Sequence, residues 1–148
     1  MENILITICA RGGSKGFPKK NIKHLGELPL IYYSIKIAKE FLNNKNGKIA
    51  LSTDCSEIKL VCEKFGLKSE YNRPKYLSSD SAGKVETIKD VLLFEEKTLN
   101  TSFSMVLDLD VSSPLRSLND LEKSYDLIKS KKNALNLFSV SESIKNPY

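Results

Sequence analysis

Ile4-Leu5-Ile6-Thr7-Ile8-Cys9-Ala10-Arg11-Gly12-Gly13-Ser14-Lys15-Gly16-Phe17-Pro18-Lys19-Lys20-Asn21 joins two segments of opposite character. The first part, Ile4 to Cys9, is short, β-branched and uncharged, which predicts a buried strand. The second part, from Ala10 to Asn21, holds three glycines and four basic residues, with no acid to neutralise them. Glycines at the carboxyl end of a buried strand let the backbone approach a ligand and turn its N–H groups inward. Arginine and lysine then offer charge to phosphate oxygens. An exposed, solvated turn has a similar composition, but the position straight after the first buried strand favours a polyphosphate site. The segment is not a Walker A loop, because Phe17-Pro18 follows Gly16 where Lys-Ser/Thr would be needed. Nor is it a dinucleotide fingerprint, since Gly12, Gly13 and Gly16 have the wrong spacing.

The rest of the chain alternates strand-like and helix-like patterns. Apolar residues at helical spacing predict a helix from Pro29 to about Leu42, with Pro29 placed to open it. Asn43 to Gly47 is a stop and turn. A second strand follows at Ile49 to Ser52, then a helix from Ser56 to Phe65 with Gly66 as its stop. Lys84 to about Lys97 reads as a third helix, and Met105-Val106-Leu107-Asp108-Leu109-Asp110 as a further strand. Ser117 or Asn119 caps a fourth helix reaching about Lys131. Ala134 to Val140 reads as a final strand. Repeated strand-helix-strand units predict an α/β fold of Rossmann-like type, three layers deep, around a mainly parallel sheet. Ligands in such sheets bind beyond the carboxyl ends of the strands. The loops there are Arg11 to Asn21, Thr53-Asp54 and Asp110 to Arg116.

Bulk properties narrow the classes. A chain of 148 residues suits one domain, and 41% apolar with 28% charged residues is an ordinary globular balance. The net charge of +5 suits an anionic small molecule, and the lysines form no aromatic-rich basic stripe, so nucleic acid is not an expected partner. There is no apolar run long enough for a membrane span and no signal-peptide layout. Cys9, Cys55 and Cys62 are odd in number and lie in no Cys-x-x-Cys pattern. These features predict a cytoplasmic protein with buried thiols rather than a disulfide framework or zinc site.

Arg11-Gly12-Gly13-Ser14-Lys15-Gly16, followed by Pro18 and Lys20-Asn21, resembles the N-terminal signature of the acylneuraminate cytidylyltransferases (CMP-sialic acid synthetases). Four further stretches resemble family segments in the same order. They are Leu51-Ser52-Thr53-Asp54; Arg73-Pro74 with Leu77 and Asp80-Ser81-Ala82; Ser112-Ser113-Pro114-Leu115-Arg116; and Asn146-Pro147-Tyr148. The resemblance implies a nucleotide-diphospho-sugar transferase type of fold. It also implies a transferase of carbohydrate biosynthesis that joins CTP to a nine-carbon 2-keto sugar acid and releases pyrophosphate, with Mg²⁺ as cofactor. Chains of the family are longer. The resemblance therefore implies that residues 1–148 form one nucleotidyltransferase domain, incomplete at its C-terminus and short of the segment through which the family forms homodimers. Slow or absent turnover by this chain alone is the corresponding expectation. A nucleotide-binding fragment without turnover, or a nucleotidyltransferase for another sugar such as 3-deoxy-manno-octulosonate, are the alternatives.

Carried over residue by residue, the resemblance places Arg11, Ser14, Lys15, Lys20 and Asn21 on CTP. Arg11 and Lys20 are the candidate catalytic cations, balancing charge on phosphate in the transition state. Lys19 and Lys23 are expected to be solvated. Arg73 matches an arginine near the nucleotide base, with a purely structural role in ordering the Pro74 loop as the alternative. Asp80 matches a nucleotide-site residue, with helix capping as its alternative. Arg116 and Asp110 fall on the sugar side. Asp110 stands where the family usually has glutamine, and a carboxylate there suits Mg²⁺. Asp108, two residues earlier and on the same face of a strand, is the weaker metal candidate. The alternative for this pair is that Asp108 meets a lysine and Asp110 caps a turn. Lys84 is a second departure, replacing a small hydroxyl residue. Both departures point away from ordinary sialic acid and toward a related nonulosonic acid such as a legionaminic or pseudaminic acid. His24, the only histidine, is assigned no role.

Overall fold

The computed structural model describes residues 2–13 and 17–142. Asn146-Pro147-Tyr148, Ser14 and Lys15 lie outside the described residues. The chain divides into two compact units, Met1–Arg116 and Ser117–Tyr148.

The first unit is built on a parallel sheet. β1 (Ile4–Cys9) lies in the middle, with β4 (Gly47–Ser52) on one side and β5 (Met105–Asp108) on the other. Both neighbours run parallel to β1, in register from Ile4↔Gly47 to Cys9↔Ser52 and from Ile4↔Met105 to Thr7↔Asp108. All three carboxyl ends therefore meet at one edge. A small antiparallel pair, β2 (His24–Leu25) and β3 (Leu28–Pro29), leads into α1 (Leu30–Leu42). Pro29 sits at the N-cap of α1 rather than inside it, with extended backbone. α2 (Ser56–Lys64) and α3 (Lys84–Leu99) complete the unit. Gly66, at φ +71°, turns the chain after α2, and Asn100, also left-handed, turns it after α3.

Alternation along β1 gives each face its own core. Leu5 packs with Ala50, Tyr71 and Val91 of α3, flanked by Leu92, Phe94, Phe103 and Val106. Ile4, Ile6 and Ile8 point to the opposite face, where α1 contributes the fully buried Ile31, Ile35, Ala38 and Phe41. Helices thus cover both faces, as the strand-helix alternation predicts.

The second unit holds α4 (Leu118–Ser130). Ser117, not Asn119, is its cap: the Ser117 hydroxyl accepts from the Asp120 backbone N–H while Asp120 accepts from Ser117 N. The strand expected at Ala134 to Val140 is absent. That stretch has no regular structure, and Leu135 and Val140 are 94% and 82% exposed. An apolar, β-prone run gains strand geometry only when a neighbour satisfies its backbone, and no described strand pairs with it. The strand expected at 105–110 likewise ends at Asp108, so Asp110 lies in the turn that follows.

Candidate active site

The loop leaving β1 is held from two sides. Ala10 N–H donates to the Ser52 carbonyl at 2.9 Å, extending the β1–β4 ladder by one residue. Gly12 N–H then donates to Asp54 Oδ1 at 2.8 Å, and the buried Asn21 amide donates to the Arg11 carbonyl at 3.0 Å. Gly12 is required by space. A Cβ there would lie 2.9 Å from Cys55 Cβ. Asn21, expected on the ligand, thus spends its amide N–H on the loop itself. Lys19 adopts a left-handed φ of 54° and pairs with Glu57 at 2.7 Å on the surface. Its ammonium is pushed to a higher pKa, chiefly by the hydrogen bond to that carboxylate. Lys23 lies over the Phe17 ring, and His24 is exposed in β2.

Around this loop, at the carboxyl edge of the sheet, lies a cleft of about 280 Å³. Arg11, Lys20, Asn21, Arg73, Asp80 and Asp110 line it, together with Cys9, Lys84, Thr87 and Ser112. Six residues expected at the site from widely separated parts of the sequence are therefore brought together. Arg11 Nη1 and Asp80 Oδ1 form an ion pair at 2.7 Å. Asp80 does not cap α3; Gly83 holds that position. Arg73 is buried, with Nε donating to Ser52 Oγ at 2.9 Å and Nη2 to the Ser52 carbonyl at 2.6 Å. Its backbone N–H reaches the Thr53 carbonyl. Arg73 thus ties its segment to the end of β4, and its side chain borders the cleft.

The two aspartates have different surroundings. Asp108 accepts from Thr7 Oγ1 at 2.9 Å and pairs with Lys84 Nζ at 3.0 Å. Asp110 is exposed on the cleft wall. One of its carboxylate oxygens accepts from Ser112 N–H at 3.2 Å, an Asx-type turn. Its carbonyl accepts from Arg116 Nη2 at 2.5 Å. Arg116 therefore braces the 110–116 loop and is not among the cleft-lining residues. Burial draws the Arg116 pKa down against the upward pull of Asp110 and Asp108. Burial also acts on Lys84, drawing its pKa down, but the Asp108 carboxylate outweighs it and the net shift is upward. The Cys9 thiol is pushed up to about 11, first by burial and then by Asp108.

Three roles are not assigned by a reading of motifs alone, although Ser52 and Asp54 lie within one of the quoted stretches. Asp54 fixes Gly12, Thr7 orients Asp108, and Ser52 anchors Arg73. Asp54 had a usable signal, since an aspartate directly after a strand, opposite a glycine-rich loop, is placed to accept its N–H groups. Thr7 had only the alternation of β1, which puts a hydroxyl on an otherwise apolar face.

A cluster of cations beside two carboxylates suits a ligand carrying several phosphate oxygens. For a divalent cation the fit differs between the aspartates. Asp110 presents a carboxylate to the cleft and engages one oxygen in its own turn, so it fits a hard cation that takes its remaining ligands from phosphate. Asp108 has both oxygens engaged and does not fit. Among the described residues no three His, Cys, Asp or Glu side chains gather into a metal cage.

Comparison with known proteins supplies the family context. The family model described as cytidylyltransferase matches residues 5–145. A post-translational flagellin modification protein B from Campylobacter coli is 41% identical over 149 residues, covering 100% of this chain and 62% of that protein. A CMP-N,N'-diacetyllegionaminic acid synthase from Campylobacter jejuni is 43% identical over 115 residues, covering 77% of this chain and 48% of its own. The chain thus spans between about half and two thirds of the length of these relatives. In fold it is similar to a CMP:2-keto-3-deoxy-manno-octonic acid synthetase solved with CTP, at TM-score 0.69 and 17% identity over 89% of this chain and 49% of that one.

Proposed function

The chain belongs to the cytidylyltransferase family, and from that premise we propose that it is the nucleotide-binding part of an enzyme that activates a nonulosonic acid with CTP. The observation that carries this is the cleft itself. Arg11 and Lys20 come from one glycine-rich loop and Arg73 from a distant segment, and all three converge at the carboxyl edge of the parallel sheet. Relatives named for legionaminic and pseudaminic acids support an acidic nine-carbon acceptor.

In the proposed reaction the acceptor's C2 hydroxyl oxygen attacks the α-phosphorus of CTP in line. The bond to the bridging oxygen breaks, pyrophosphate leaves, and the hydroxyl proton passes to solvent. The protein's part is positioning and charge balance rather than covalent chemistry. Arg11 and Lys20 offset the charge that builds on the phosphate oxygens. Asn21 and Asp54 hold the loop so that these cations need not reorganise. Arg73, locked to Ser52, gives that wall of the cleft a fixed shape. Asp110 is the residue that would hold Mg²⁺, whose chemistry is to neutralise triphosphate charge.

The test is pyrophosphate release from CTP with a panel of nonulosonic acids, by the wild-type chain and by Arg11→Ala and Lys20→Ala. Each variant is expected to lose about 10²–10³ in rate, as for removal of one transition-state charge donor. Near-normal turnover by both variants would remove the phosphate-clamp role.

A further inference from the structure

Lys84 is a cationic cleft residue with no part in the scheme above. It is the first residue of α3, where a cation opposes the helix dipole, so helix formation does not explain it. Its ammonium is held 3.0 Å from Asp108 Oδ2, and Thr7 holds the other Asp108 oxygen, so the lysine is fixed in place from β1 and β5. The side chain remains 47% exposed and, like Asp110, lines the cleft. The upward pKa shift keeps it charged.

The geometry points to Lys84 as the residue that binds the acceptor's carboxylate, and so selects acidic sugars over neutral ones; this rests on the function proposed above. Asp110 lines the cleft, and Lys84 lies within electrostatic reach of both Asp110 and Asp108. An acidic sugar entering there meets repulsion unless a cation stands between, and Lys84 is that cation. A single ammonium matches one carboxylate better than a triphosphate, for which Arg11 and Lys20 stand together on the glycine loop. Its three N–H donors allow it to keep Asp108 and gain the ligand.

The test needs binding, not turnover. Calorimetry with the 148-residue chain, first with CDP and then with acid in the presence of CDP, separates the two sites. The probes are N-acetylneuraminic acid, N,N'-diacetyllegionaminic acid and their methyl esters. For the wild type, the acid is expected to bind at least tenfold more tightly than its ester, the scale of one charge-assisted hydrogen bond. Lys84→Ala should lose that preference while its CDP affinity changes less than twofold. Lys84→Arg should keep most of it. Because Lys84→Ala strands the Asp108 charge, the Lys84→Met/Asp108→Asn pair removes both charges together, and asparagine still accepts from Thr7. It should lose the acid preference as well. An intact acid-to-ester ratio in these variants overturns the assignment, as does a CDP affinity that falls in step with the acid's. A wild-type chain that binds CDP but neither acid overturns the assignment together with the acceptor half of the proposed function. A wild-type chain that binds no CDP removes the nucleotide half of the proposed function, and the acid-to-ester ratio measured without nucleotide then decides the Lys84 assignment.

Discussion

Gly12→Ala is expected to cost nucleotide affinity through a single contact. Gly12 is not one of the left-handed glycines, which among the described residues are Gly26 and Gly66, so torsion does not oppose the change. Space does: the new Cβ would lie 2.9 Å from Cys55 Cβ and 3.3 Å from Cys55 Sγ. Carbon atoms rest at roughly 3.5–4.0 Å, so the loop or Cys55 must yield by roughly 0.6–1 Å. Cys55 Cβ is fixed to the backbone at the N-cap of α2 and yields little. If the loop stays, overpacking costs about 1–3 kcal/mol. If it moves, the Gly12–Asp54 hydrogen bond is lost, at about 1.5–3 kcal/mol for a bond to a charged group. Where the free chain relaxes and CTP must draw the loop back, either cost falls on binding and is equivalent to roughly 5–150-fold in CTP dissociation constant. Calorimetry with CTP on the wild type, Gly12→Ala and Gly12→Ala/Cys55→Gly reads this directly. The double variant removes the clashing carbon and sulfur and should recover most of the affinity. Wild-type CTP binding by Gly12→Ala, or a loss that Cys55→Gly does not relieve, would refute the loop-packing reasoning.

Two further outcomes are expected. Asp110→Asn should raise the Mg²⁺ concentration needed for pyrophosphate release while leaving metal-free CTP binding similar; an unchanged Mg²⁺ titration would leave Asp110 with its turn alone, a task asparagine performs equally well. The raised Cys9 pKa should make folding stability fall at alkaline pH. The buried thiol's contribution is complete below 9.0, where the unfolded chain still holds the proton, and is lost as pH rises through about 11. Urea midpoints measured from pH 8 to pH 11 should decline more steeply for the wild type than for Cys9→Ala, and parallel slopes would contradict it.

The sheet and the loops at its carboxyl edge were legible because β1 is an uncharged run with Thr7 as its one hydroxyl and the helices carry clear spacing. Arg11, Lys20 and Arg73 were legible as cleft residues because charge beside glycine or proline at that edge has few other uses. Their partners were harder to read. Nothing local in Asp80 says that it meets Arg11, and the Asp108–Lys84 pair joins residues from different elements. Period-two reasoning placed Asp108 and Asp110 together on one strand, but the strand ends between them, and the two carboxylates take different partners. The failure at 134–140 has the same origin. Alternation describes what a strand's faces want, whereas a strand exists only where a neighbour supplies hydrogen bonds.

The central claim, that this cleft serves cytidylyl transfer to an acidic sugar, is tested most directly by phosphorus NMR. CTP, Mg²⁺ and N,N'-diacetyllegionaminic, pseudaminic or N-acetylneuraminic acid are incubated with stoichiometric protein, so that even slow transfer accumulates product. Pyrophosphate and a CMP-sugar phosphodiester are expected to rise in equal amounts with at least one acid, and neither in the acid's absence. Release of inorganic phosphate alone, or pyrophosphate that forms equally without an acid, would contradict the claim.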